Sequence, residues 1–223
     1  DVSDEAVAYA VKSLPLNVCL LLFENPEIQL DDQQYHALYA RFGHAGDMTE
    51  KLLACPDLPL DIRIMQAKRA SNRMQQLMAE RGWLPANDAV ELVHDAEENA
   101  VLLILIAATD SELAKLVAFL VSKSMLTTSI IVRAACLGEM HVVERALAHL
   151  ADVPLQRARG LMRGKGLTGF RGLHAKSGLP QSCYWILQAA CDVSAEEAEE
   201  GVTLNAEDFG RRVIEALMTR YES

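Results

Sequence analysis

No stretch of this 223-residue chain alternates apolar and polar residues over six or more positions with β-branched enrichment, so a sheet has little to build on. Helical spacing is present instead. From Glu139 to Ala151, Val143, Ala146, Leu147 and Leu150 fall at i, i+3, i+4 and i+7 while Glu144, Arg145 and His149 point elsewhere, the pattern of an amphipathic helix. Phe209, Val213, Ala216 and Leu217 repeat it near the C-terminus, with Asn205 placed to cap that helix. Apolar residues make up 51% of the chain, enough to bury a substantial core and to exclude disorder.

The joints between helices are short. Ser3 to Ser13 and Pro15 to Glu24 read as two helices, the second ended by Asn25-Pro26. Asp31 and Asp32 start a helix through Arg41 that Gly43 closes. Asp47 with Glu50, and Ser194 with Glu197, have the spacing of capping boxes. The chain also aligns weakly with itself at an offset of 68 to 69 residues. Leu58 to Ile62 falls on Leu126 to Ile130; Met74, Leu77 and Met78 fall on Val143, Ala146 and Leu147; Trp83-Leu84-Pro85 falls on Asp152-Val153-Pro154. In each copy a helix leads to a break (Asn72, Gly138), a second helix ends near a proline, and a third begins there. Units that cannot bury their apolar faces alone stack on neighbours. The expected fold is therefore an all-α, irregular helical-repeat array, HEAT-like, of short antiparallel helices in an α-α superhelix. Its expected parts are a cap at 1–46, a first unit at 47–125 and a second at 126–223.

The segment Leu126-Thr-Thr-Ser-Ile-Ile-Val-Arg-Ala-Ala-Cys-Leu-Gly138 resembles a bacterial family, the domain of unknown function 2336. Ala146 to Pro154, Arg157-Ala-Arg159 and Gly169 to Pro180 extend the resemblance, which is best over residues 58 to 190. The family is uncharacterised, largely proteobacterial and thought to resemble HEAT-type arrays. The resemblance thus implies the fold and supplies no catalytic residue.

Several classes of function are disfavoured. The longest apolar run, Ala100 to Thr109, is about half of what a bilayer crossing needs, and Asp110, Glu112 and Lys115 follow it. Asp1, Asp4 and Glu5 stand where a secretory signal carries positive charge, and the missing initiator Met reads as a fragment of a longer chain. Five cysteines (Cys19, Cys55, Cys136, Cys183, Cys191) without CxxC spacing suit a reducing, cytoplasmic location and no metal. A net charge of −10 argues against nucleic acid.

Charge is polarised along the chain. Val153 to Cys191 contains no Asp or Glu but holds Arg157, Arg159, Arg163, Lys165, Arg171 and Lys176, six of the 21 basic residues, so that 15 face the 31 acids elsewhere. Glycines interleave them, and helix termini there could hold an anion or an acidic partner. The competing reading, which the charge balance favours, is that these arginines pair with acids of the same chain and the glycines stop helices. His94-Asp-Ala-Glu-Glu98, the loop aligned with this segment in the first copy, is acidic, so opposite charges on equivalent loops could also join two molecules.

Other motifs carry little. Gly164 to Gly169 matches GxGxxG without the preceding strand that a dinucleotide site needs, and Glu91-Leu-Val-His94 is one ExxH where a metal pair needs two. His141, Arg145 and His149 form a column read as a solvated or partner-facing ridge, and Glu91, His94, Asp95 and Glu98 as a solvated face. The expectation is a non-enzymatic interaction or scaffold module with an unknown protein partner or a second copy, without cofactor, nucleic acid or membrane. The alternative is a regulatory module that binds a phosphorylated small-molecule anion through 157–176.

Overall fold

The computed structural model describes residues 3–83, 85–164 and 167–221, with the backbone alone for residues 86, 167 and 221. The described residues form thirteen α-helices and two short 3-10 turns and no strand, so the protein is all-α. Two compact units divide at residues 97 and 98, inside a helix rather than at 46/47 or 125/126.

In the first unit, α1 (Asp4–Ser13) is capped by Ser3, whose hydroxyl accepts from the Ala6 N–H. The helix expected from Pro15 to Glu24 appears as α2 (Leu16–Leu21) tightened at its end into a 3-10 turn, Leu22–Glu24. A full capping box of Asp31 and Gln34 opens α3 (Asp32–Phe42). The box expected at Asp47 and Glu50 does not form. The Ala45 N–H bonds to the Phe42 carbonyl, the turn is too tight to leave Asp47 outside, and α4 (Gly46–Ala54) starts with Asp47 already in its first turn. The carboxylate there still faces the positive end of the helix dipole. Val7, Val11, Cys19, Leu38, Met48, Leu52 and Ile62 make the core. Arg41 ties its edge, donating to the Val11 and Leu14 carbonyls that α1 leaves unpaired at its C-terminus. α5 (Leu60–Arg81) follows, closed by Gly82 at φ +62°, and then α6 (Ala86–Ala107), whose last turns belong to the second unit.

The second unit continues with α7 (Asp110–Ser122), α8 (Thr128–Cys136), α9 (Met140–Leu150), α10 (Leu155–Arg163), α11 (Leu167–Ser177), α12 (Tyr184–Glu200) and α13 (Ala206–Tyr221). α9 sits at the centre and packs against α7, α8, α10, α11 and α12. Its Val142, Val143, Ala146, Leu147 and Ala148 are all buried, and so is Glu144, which the periodicity had assigned to the polar face. The capping box at Ser194 and Glu197 is absent, because the buried run Leu187, Ala190, Cys191 and Val193 carries α12 straight through to Gly201. Glu197 instead accepts from the Leu204 N–H at 2.7 Å, and Asn205 caps α13 through the Asp208 N–H at 2.9 Å.

Helix starts recur at the offsets the sequence suggests: Leu60 and Thr128 begin α5 and α8, Ala86 and Leu155 begin α6 and α10. The break expected at Asn72 is missing, since α5 runs unbroken for 22 residues, and His94 to Glu98 lies within α6 rather than in a loop. The break at Gly138 is present. Its φ is +80°, and a Cβ there would lie 3.1 to 3.4 Å from the Phe209 ring of α13, so the elbow needs glycine both for its backbone and for the helix laid over it. Asn72 has no such helix to receive.

Gly138→Ala should therefore lower stability by roughly 1–3 kcal/mol in urea titration, from left-handed strain and a displaced Phe209. A pH-dependent contribution comes from His36. Burial opposes its charge, but Nε2 faces Asp61 Oδ2 at 2.6 Å and Nδ1 faces the Asp32 carbonyl, and the net effect raises its pKa. Such a group stabilises fully below its unfolded value and loses that contribution as pH rises through its folded one. His36→Gln should cost more stability near pH 5.5 than near pH 8, measured by melts at both.

Candidate functional site

The buried Glu144 organises the acid-free segment. Its side chain is 5% exposed; Arg159 Nε donates to Oε2 at 2.6 Å and Arg163 Nη2 to Oε1 at 3.1 Å. Both donors come from α10, one turn apart, so a single helix face supplies the whole counter-charge. The arginines differ in setting: Arg159 is 26% exposed and Arg163 is 72%. Arg159 is thus a packing residue, and Arg163 straddles the site and the solvent.

The six basic candidates are not brought together as one cluster. Arg157 and Arg171 are exposed and form no ion pair among the described residues. Lys176 is exposed and donates to the Asp152 carbonyl at 3.2 Å, at the end of α9. Lys165 lies outside the described residues, as does the middle of the GxGxxG match. Glu144 was invisible as a partner because helical periodicity counted Val143, Ala146 and Leu147 as one face. Val142 and Ala148 extend the apolar surface round the helix, which was the signal that a charge among them needs a counter-ion.

A cavity of about 290 Å³ opens beside this pair, bounded by Met140 and Glu144 of α9, Met162 and Arg163 of α10, and Cys191 and Glu199 of α12. Its lining mixes two carboxylates with one guanidinium and thioether surface. Cys191 contributes no nucleophile: burial, with Asp192 and Glu144 adding, pushes its thiol up to about 12.

A second buried polar group lies under α11 and the 3-10 turn Gln181–Cys183. His174 Nε2 stands 3.6 Å from Cys183 Sγ, with Phe170 and Tyr184 around the imidazole. Burial lowers the histidine pKa and raises that of the cysteine, so both groups stay neutral and no thiolate–imidazolium pair forms. Cys183 Sγ donates instead to the Pro180 carbonyl at 3.0 Å. Tyr184 packs edge-on against Trp185, which is partly exposed and carries the Arg220 guanidinium 5.7 Å from its ring centre.

The histidine column of α9 is not a solvated ridge. His141 is half-buried and 3.4 Å from Glu139, Arg145 Nη2 reaches the Asp110 carbonyl, and His149 alone is exposed. Glu98 likewise leaves the solvated face: it is buried, bonded by Thr127 and flanked by Arg133. No group of three or more His, Cys, Asp or Glu among the described residues could hold a metal ion, and none of their helices is long and apolar enough to cross a membrane.

Fold and site together define an all-α domain that spends its buried charges on its own packing. The chain belongs to a family of uncharacterised proteins conserved in bacteria, DUF2336, whose model matches residues 1–223. No curated protein and no solved structure matches it.

The two arginines should separate on mutation. Arg159→Ala leaves a buried carboxylate with one solvent-exposed partner and should cost about 2–4 kcal/mol, whereas Arg163→Ala should cost under about 1 kcal/mol, both read from urea midpoints.

Proposed function

We propose that this protein is a non-enzymatic, cytoplasmic helical-repeat module that engages an acidic partner protein through the outward surface of α10, α11 and the turn into α12. The repeat reading is supported by the recurring helix starts, and a reducing location suits five free cysteines. One observation carries the contact surface. Once Glu144 has taken up Arg159 and part of Arg163, the exposed Arg157 and Arg171 are left without a counter-ion among the described residues, in a stretch that contains no carboxylate from Val153 to Cys191. An acidic helix laid there gains charge-assisted contacts, and Trp185 at the border offers an aromatic anchor.

The second reading, a phosphorylated small anion, rests on Arg163 at the mouth of the cavity. Glu144 and Glu199 on the same walls act against it.

Affinity capture from bacterial lysate, comparing the native chain with an Arg157→Glu, Arg171→Glu variant of equal helicity, tests the surface. A partner held by the native chain and lost by the variant supports the reading, and equal recovery by both overturns the placement. A melting-temperature rise of several degrees with phosphorylated metabolites, abolished by Arg163→Ala, would favour the small-anion reading instead.

A further inference from the structure

The cavity between α9, α10 and α12 is lined by side chains of unequal exposure, and their chemistry changes with it. Met162, Cys191 and Glu144 are buried and form the inner wall, with Met140 half-buried beside them. Arg163, Ala198 and Glu199 are exposed and form the rim. On α12, Cys191, Ser194, Ala195 and Ala198 fall at i, i+3, i+4 and i+7, so one continuous face of that helix turns to the cavity, and its small residues leave the space open. Two thioethers and a protonated thiol make the inner wall apolar and polarisable, a surface that adapts to the shape it covers. A volume of about 290 Å³, apolar walls and a few placed polar groups are the build of a small-ligand site.

The charges decide which ligand. Both oxygens of Glu144 already accept from guanidinium groups, and Arg159 by itself neutralises that carboxylate. Arg163 gives one N–H of several to Glu144, and its side chain is 72% exposed, so donors remain for a ligand. Glu199 brings a carboxylate to the same rim, and a carboxylate has enough acceptor sites to receive a further donor beside the contacts it already makes. The Ser194 hydroxyl forms no hydrogen bond among the described residues. A simple anion is opposed here by Glu199 and a simple cation by Arg163. A zwitterion satisfies both.

We propose that this cavity binds a free α-amino acid with an apolar side chain, of the size of leucine or methionine. Its carboxylate meets Arg163 and the Ser194 hydroxyl, its ammonium meets Glu199, and its side chain lies on Met140, Met162 and Cys191. The charged head group thus stays at the exposed rim while the apolar tail displaces water from the sulfur-lined interior. The inference does not rest on the α10–α11 partner surface, since Arg157, Arg171 and Trp185 do not line the cavity.

Isothermal titration calorimetry of the full chain with L-leucine and L-methionine provides the test. Isocaproic acid, which lacks the ammonium of leucine, and isoamylamine, which lacks its carboxylate, are the comparison ligands. About nine non-hydrogen atoms support a dissociation constant in the micromolar to millimolar range. One-to-one binding of at least one of the two amino acids is expected, with both comparison ligands at least tenfold weaker. Arg163→Ala and Glu199→Gln should each weaken the amino acid about tenfold, and Ala198→Trp at the rim should block it. Because Arg163 also serves Glu144, the amine separates direct contact from altered packing: isoamylamine should bind the Arg163→Ala protein no more weakly than the native chain. All three positions are exposed, and circular dichroism with melting temperature confirms that the variants are folded. Absence of both binding heat and any rise in melting temperature at about 20 mM of either amino acid would overturn the inference. So would isocaproic acid or isoamylamine binding as tightly as leucine, or amino-acid binding indifferent to Arg163→Ala and Glu199→Gln.

Discussion

A helix enclosed by five others can hold a charge only where a neighbour brings the opposite one, and α9 is such a helix. Glu144 sits among Val142, Val143, Ala146, Leu147 and Ala148, and an uncompensated carboxylate there would cost several kcal/mol. α10 answers with Arg159 and Arg163 from one face. The pair fixes the rotation of α10 about its own axis and its register along α9, which apolar contact alone leaves loose. The position of α10 in turn settles where the acid-free stretch reaches solvent. A large part of what is basic in this segment is therefore consumed by architecture, and the surface that remains is defined by subtraction.

Local signals in the chain translate faithfully where one residue acts on its own helix. Asp31 and Asn205 open helices, Gly138 breaks one, and the apolar face of α13 follows its periodicity. Signals that depend on what packs alongside do not. The spacing of Ser194 and Glu197 permits a cap, yet the buried face of α12 continues through it and Glu197 serves Leu204 instead. Asn72 permits a break that α5 does not take, since no Phe209 waits to occupy the elbow. Of the basic candidates, Arg159 and Arg163 could have been linked to Glu144 only by knowing that α9 is buried on nearly all sides, a tertiary fact that no window of sequence contains.

Three interior polar groups follow one rule. Glu98 meets Thr127 and Arg133, Glu144 meets two arginines, and His174 meets Cys183 among aromatic rings. Each is satisfied within its own unit, and in the last case burial holds both partners in their uncharged forms. This chemistry fastens helices to each other. It also explains why motifs that suggest catalysis in the linear sequence, such as the single ExxH, lead to an exposed helix face instead of a pocket.

The two tryptophans fall one in each unit, Trp83 at the tip of the α5–α6 hairpin and Trp185 at the start of α12. They inhabit unlike surroundings. The first indole is 64% exposed, while the second leans edge-on against Tyr184 and lies beneath the Arg220 guanidinium. The protein thus carries one indole in each half of its chain, and replacing either residue makes the fluorescence of the other a private record of its own unit.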